Sequence, residues 1–89
     1  MRAVITVIGK DAVGILSFVS AKCAESNINI LEVTQSILQD LFAMIMLVDI
    51  DKSTKELTEF SDELTALGRA KNLSIHTMHE DIFNSMHTI

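Results

Sequence analysis

Three observations predict an α+β fold of the ferredoxin-like type. The chain has four strand-like runs, two stretches of helical periodicity each follow a strand-like run, and the middle two strands are separated only by Gln39-Asp40. The implied order is βαββαβ, a sandwich whose four-stranded antiparallel sheet carries two helices on one face, with a short C-terminal helix after the last strand.

The first strand is Val4-Ile5-Thr6-Val7-Ile8, because branching at Cβ suits a pleated surface and restricts rotamers in a helix. It stops at Gly9. From Ala12 onward Ile15, Leu16, Val19 and Cys23 share one arc of a 3.6-residue period, which predicts an amphipathic helix. Phe18 lies off the edge of that arc, so it is expected either to lie along the surface of its own domain or to meet another chain, the second being preferred. Ser26-Asn27 end the helix, Asn being tolerant of the left-handed conformation found just past a helix C-terminus. The second strand runs from Ile28 to Leu38, with Ile28, Ile30, Glu32 and Thr34 on one face and Asn29, Leu31, Val33, Gln35 and Ile37 on the other. Across the short turn, Leu41 to Ile50 is apolar on both faces and therefore central.

Ser53-Thr54-Lys55-Glu56 reads as a capping box that starts the second helix. Leu57, Phe60, Leu64 and Leu67 form its buried side, and it ends near Asn72. Leu73 to Met78 alternates as the last strand, with Leu73 and Ile75 on one face and Ser74, His76 and Met78 on the other. Ile82, Phe83, Met86 and Ile89 have helical spacing in a tail too short to be stable alone, so its apolar side must lie on the domain or on a partner.

The 89 residues are expected to form one domain, 1–89, burying about 60 to 65% of the surface its unfolded chain exposes. At 48% hydrophobic and 21% charged the composition is globular, and no apolar run approaches the ~20 residues of a membrane span. Arg2 precedes a strand and not a signal-peptide core, so the expected compartment is the cytoplasm. A net charge of −5 with scattered basic residues argues against nucleic acid and anionic membranes as partners. The lone Cys23 lies on the packed arc and reads as a buried structural thiol.

No cofactor, metal or catalytic group is expected. His76 and His79, three apart on a strand, point to opposite faces and so do not converge with His87, Glu80 and Asp81 on a metal. The five methionines read as core filler. Asp49 and Asp51 suit a helix start better than an acid–base pair.

The turn after the first strand, Gly9-Lys10-Asp11-Ala12-Val13-Gly14, carries the functional signal. Asp11 stands where an N-cap belongs, and Gly14, set inside the first helical turn, suggests a need for bare backbone where something approaches. Free N–H groups at Ala12, Val13 and Gly14 with the helix dipole favour a carboxylate, and Asp11 suits an ammonium. The residues equally allow Asp11 to be a cap and nothing more.

Asp11-Ala12-Val13-Gly14-Ile15-Leu16, with Asn27-Ile28-Asn29-Ile30 opening the second strand, resembles the pattern of ACT domains, small regulatory modules. The resemblance covers about residues 4–79, and with His79-Glu80-Asp81-Ile82-Phe83-Asn84 opening the tail, 80–89, the chain is similar to the stand-alone UPF0237 group. That resemblance implies a non-enzymatic sensor binding a small ligand, an amino acid, where the turn of one protomer meets a neighbouring one. The implied ligand-binding residues are Asp11, Ala12, Val13, Gly14, Ile15, Asn29 and Ile30, with polar contacts from Asp11 and Asn29. Val13 stands where many members have proline. The fold is shared with RNA-binding RRM domains and acylphosphatases, but the chain lacks the stacking aromatics of the first and a first-turn arginine for the second. The alternative is a protein–protein interaction or dimerisation module with no ligand. A homodimer is expected in either case, because the sheet face opposite the helices carries apolar residues that one copy does not hide.

Overall fold

The computed structural model describes residues 1–10 and 13–86, Leu38 by its backbone only. The elements are β1 (Arg2–Gly9), α1 (Ile15–Glu25), β2 (Asn29–Leu38), β3 (Leu41–Asp49), α2 (Leu57–Ala70), β4 (Ser74–His79) and α3 (Glu80–Met86). All pairings are antiparallel in the order β2-β3-β1-β4, so β3 is an inner strand as expected and β1 is the other. This is the βαββαβ arrangement with a third, short helix at its end. Among the described residues no helix is long and apolar enough to cross a membrane.

Alternation sorts the sheet into two faces. Ala3, Ile5 and Val7 of β1 stand level with Val48, Met46 and Met44 of β3, all buried, and pack against Ile15, Val19 and Cys23 of α1 and Phe60 and Leu64 of α2. Burial pushes the Cys23 thiol up to about 11, which suits a packing residue and not a nucleophile. The opposite face carries Val4, Thr6 and Ile8 of β1, Ala43, Ile45 and Leu47 of β3, and His76 and Met78 of β4. There α3 lies across β1 and β4, with Phe83 and Met86 beside the sheet and Ile82 turned outward.

In β2 the simple alternation fails. Ile30 pairs with Val48 and Val33 with Met46, leaving Leu31 as a β-bulge, so Ile30 and Val33 share the helix-covered face that the sequence divided between two faces. Both helices end alike. The N–H of Ile28 reaches the Cys23 carbonyl (2.8 Å) and that of Asn27 the Ala24 carbonyl (3.1 Å); Leu73 and Asn72 repeat this with Gly68 (2.8 Å) and Arg69 (3.2 Å). Asn27 and Asn72 have φ of 58° and 60°, and the apolar residue after each is buried, as in a Schellman motif.

Helix starts differ from expectation. The N-cap of α1 is Gly14, three residues beyond Asp11, so Asp11 is not the cap. The N-cap of α2 is Glu56, with no side-chain cap bond. Ser53 Oγ accepts from the Lys55 N–H (3.1 Å) instead of that of Glu56 and donates to the Lys55 carbonyl (2.7 Å), a local turn that competes with the capping box. Leu16 is exposed, and Phe18 is half-buried, packed against the core of its own chain.

Glu63 of α2 bonds Lys55 and lies 3.9 Å from Lys22 of α1, joining the two helices. The hydrogen bond from Lys55 holds the Glu63 carboxyl below the usual carboxylate range and raises Lys55. The stability contributed by Glu63 is therefore complete above the ordinary glutamate range and lost as pH falls through its lowered value. Glu63→Gln should lower the urea midpoint near neutrality and flatten its fall on the acid side, so that variant and wild type converge at low pH.

A second prediction concerns Gly68, where α2 approaches β4. A Cβ there would lie 2.8 Å from Ile75 Cγ1 and 3.1 Å from the Leu73 carbonyl oxygen. Crowding of this kind costs about 1–3 kcal/mol against a helix-propensity gain of about 1. Gly68→Ala should therefore lower the urea midpoint, where an exposed helical glycine would raise it.

Candidate ligand-binding turn

Gly14 has φ 74° and ψ 1°, a left-handed conformation that costs other residues about 1–2 kcal/mol. A Cβ at this position would meet nothing within 4 Å. The glycine thus answers a backbone requirement, not crowding within the chain. Its carbonyl accepts the first helical bond, from the Phe18 N–H at 2.9 Å, which leaves the N–H groups of Ile15, Leu16 and Ser17 at the helix start without helical partners. The orphan donors are therefore displaced along the chain from the expected Ala12, Val13 and Gly14.

A shallow cavity of about 270 Å³ opens at this turn, lined by Val13, Gly14, Ile15, Phe18, Lys71 and Leu73. Val13 is 88% exposed and Ile15 only 4%, so Ile15 contributes mainly to the core. Lys71 Nζ sits 4.9 Å from the centre of the Phe18 ring, a cation over an aromatic face beside the α1 N-terminus. Asp11 and Ala12 lie outside the described residues. Phe18, Lys71 and Leu73 were missed in the sequence. The signal for them was the Asn72 turn, which brings the end of α2 back to the start of α1.

Asn29 and Ile30 are elsewhere. Gly9 pairs with Phe42 at one end of the sheet, whereas Asn29 pairs with Asp49, which pairs with Arg2 at the other. Seven steps of β1 separate these ends, roughly 23 Å at ~3.3 Å per residue. One chain therefore brings Val13, Gly14 and Ile15 together and leaves Asn29 and Ile30 apart from them. Asn29 lines its own cavity of about 430 Å³ with Asn27, Ile28, Asp49, Asp51 and Lys52. There Asn27 Nδ2 donates to the Lys52 carbonyl (2.9 Å), the Asp51 N–H donates to Asp49 Oδ1 (2.9 Å), and the Met1 ammonium pairs with Asp51. The exposed Asn29 amide is the polar group at this end of β2, while Ile30 packs toward the core.

Among the described residues, no three His, Cys, Asp or Glu side chains are grouped to hold a metal. Residues 2–78 match the family model of the ACT domain. The chain belongs to the ACT domain family. It is 52% identical to a UPF0237 protein of Listeria innocua over 89 residues, the whole of both chains. It is 37% identical to the solved ACT domain protein from Streptococcus pneumoniae, with a TM-score of 0.81 and 93% of each chain covered. A formyltetrahydrofolate deformylase from Pseudomonas syringae has the same fold over 88% of this chain and 27% of its own, at 22% identity and a TM-score of 0.77.

The Gly14 conformation makes a stability prediction of its own. Gly14→Ala should cost about 1 kcal/mol through backbone strain alone, and Gly14→Asn less, since Asn tolerates the left-handed region. Equal stability of wild type and Gly14→Ala in urea unfolding would contradict that conformation.

Proposed function

We propose that this ACT domain is a single-domain, non-enzymatic regulatory protein of the cytoplasm that binds an amino acid between two copies of itself. The ligand lies between the Gly14 turn of one protomer and Asn29 of its partner. The observation that carries this reading is the separation of the two half-sites along one sheet. An antiparallel pairing of β2 with a second β2 about a two-fold axis brings each Asn29 to the Leu38 end of its partner's strand. That end is level with Phe42 and, two strands further in, with Gly9, from which the partner's turn starts.

The sheet edges support this choice of interface. On the β4 edge, the carbonyls of Ile75 and Thr77 already accept from the hydroxyls of Thr65 (3.2 Å) and Ser61 (3.3 Å) on α2. Among the described residues the β2 edge has no such cover, and it exposes Leu31 at 45% and Ile37 at 70%, apolar residues that a second strand would shield. At the turn, the orphan N–H groups of α1 and the Lys71 ammonium suit a carboxylate, and Asp11 and Asn29 suit an ammonium.

A thermal-shift screen of the amino acids tests the ligand, since a ligand at 100 times its dissociation constant adds about 2.7 kcal/mol of stability. Asp11→Ala and Asn29→Ala should each abolish that stabilisation while the fold persists. Mixing the two variants should restore binding at one site per dimer, because one mixed interface then keeps both intact halves. A lone 9.8 kDa species in sedimentation at low micromolar concentration would remove the interface and the mechanism together. A dimer that responds to no amino acid would instead favour the interaction module.

A further inference from the structure

We propose that the sheet face opposite α1 and α2 holds a second site, for a small carboxylic acid with an apolar body, in the groove beneath α3. The groove has a volume of about 390 Å³, within the range of small-molecule sites. Its floor is Ile8, Ala43, Ile45 and Met78, and Phe83 and Met86 of α3 form its wall. Among the described residues no carboxylate or cation lines it. Its polar groups are the Thr6 hydroxyl and the His76 ring.

His76 decides the ligand class. The same residue lines the adjoining cavity around the β4 edge, where its neighbours include Ser74, Thr65 and Arg69. His76 Nε2 is 3.2 Å from Ser74 Oγ, and Arg69, in the last turn of α2, has no carboxylate partner among the described residues. An apolar groove thus opens, at one residue, onto hydrogen-bonding groups and an uncommitted guanidinium. A molecule that lays an aliphatic or aromatic body under α3 and turns a carboxylate toward His76 and Arg69 matches both halves.

Cover argues against a second copy as the occupant: α3 already lies across β1 and β4 on this face, and a stable protein interface takes about 800 Å² of accessible surface from each partner. The remaining surface is concave and small, and the unbranched Met78 and Met86 side chains adapt to a ligand of irregular shape.

Octanoate is the probe, added to the full chain labelled with [¹³C-methyl]methionine. The Met78 and Met86 methyl signals should shift together and saturably, while Met46, buried on the helix-covered face, does not move. Ala43→Phe, which fills the groove from its floor, should abolish the shifts with the melting transition retained. His76→Ala combined with Arg69→Ala should weaken octanoate about tenfold and leave octan-1-ol unchanged. Asn29→Ala should have no effect on octanoate, so this site and the amino-acid site fail separately. The proposal is overturned if the two methyls stay fixed at millimolar octanoate, or if a folded Ala43→Phe binds as well as wild type. It is equally overturned if the same methyls shift with protein concentration alone as tetramers form, which would make a second copy the occupant of the face.

Discussion

Hydrogen bonding along both edges of β1 is the constraint on which the remaining structure depends. The strand pairs with β3 from Arg2 to Gly9 and with β4 from Ala3 to Ile8, and Ala3, Ile5 and Val7 have no exposed surface at all. Such a strand has no freedom to slip, because a one-residue shift would turn its apolar set to the opposite face. Its C-terminal end is therefore a fixed point. At that end a Cβ on Gly9 would lie 2.3 Å from Leu73 Cδ2, so the chain leaves the sheet directly beneath the residue that closes α2. The Gly14 turn is held between a rigid strand behind it and a helix in front.

The two crossovers repeat one solution, and the candidate site uses both. Each helix closes on a left-handed Asn followed by a buried apolar residue, Asn27-Ile28 and Asn72-Leu73. The second of these turns delivers Lys71 and Leu73 to the cavity at the start of α1. An α-helix start with orphan N–H groups thus meets an α-helix end, two opposite ends of backbone dipoles at one place. That juxtaposition suits a ligand carrying both charges. The first closing turn holds the other half: Asn27 and Ile28 line the cavity that contains Asn29, and Ser26 anchors the segment before α2 through Thr54.

The order of elements was legible because each element shows its periodicity over several turns or pairs. Val4 to Ile8, the alternation of β3 and the Phe60–Leu64 stripe all report burial, and burial decides the fold. Where local hydrogen-bonding signals had to set a boundary, they were overridden. Asp11 and Ser53 are both good caps by chemistry, yet α1 begins after the left-handed Gly14 and Ser53 is drawn into a local turn with Lys55. The bulge at Leu31 was hidden for a related reason: alternation in sequence does not show where a strand gains an unpaired residue. Of the candidate site, Gly14 was legible through its helix-propensity cost, to which its φ of 74° gives a backbone reason. Lys71 and Leu73 were not, since only the packing of α2 brings them to the turn.

The open face of the sheet follows from the same arithmetic that covers the other. Two helices of 11 and 14 residues fill one side, whereas α3 has 7 residues, a rise of about 10 Å, against four strands. It is fixed at its start by Arg2–Glu80 at 2.6 Å and by the Asp81 N–H on His79 Nδ1 at 3.0 Å, and among the described residues its main contacts are with β1 and β4. A groove is left between its far end and β3. Its floor residues Thr6 and Ile8 alternate along β1 with Ile5 and Val7, whose side chains form the helix-side core. A ligand beneath α3 and one at the Gly14 turn would thus touch the two faces of a single strand. Coupling between them requires a second arrangement of that strand or of the elements packed on it. Because β1 is bonded on both edges and buried on the helix side, it is poorly suited to provide one. A ligand in the groove would bear directly on α3, while the geometry of the Gly14 turn stays as β1 sets it.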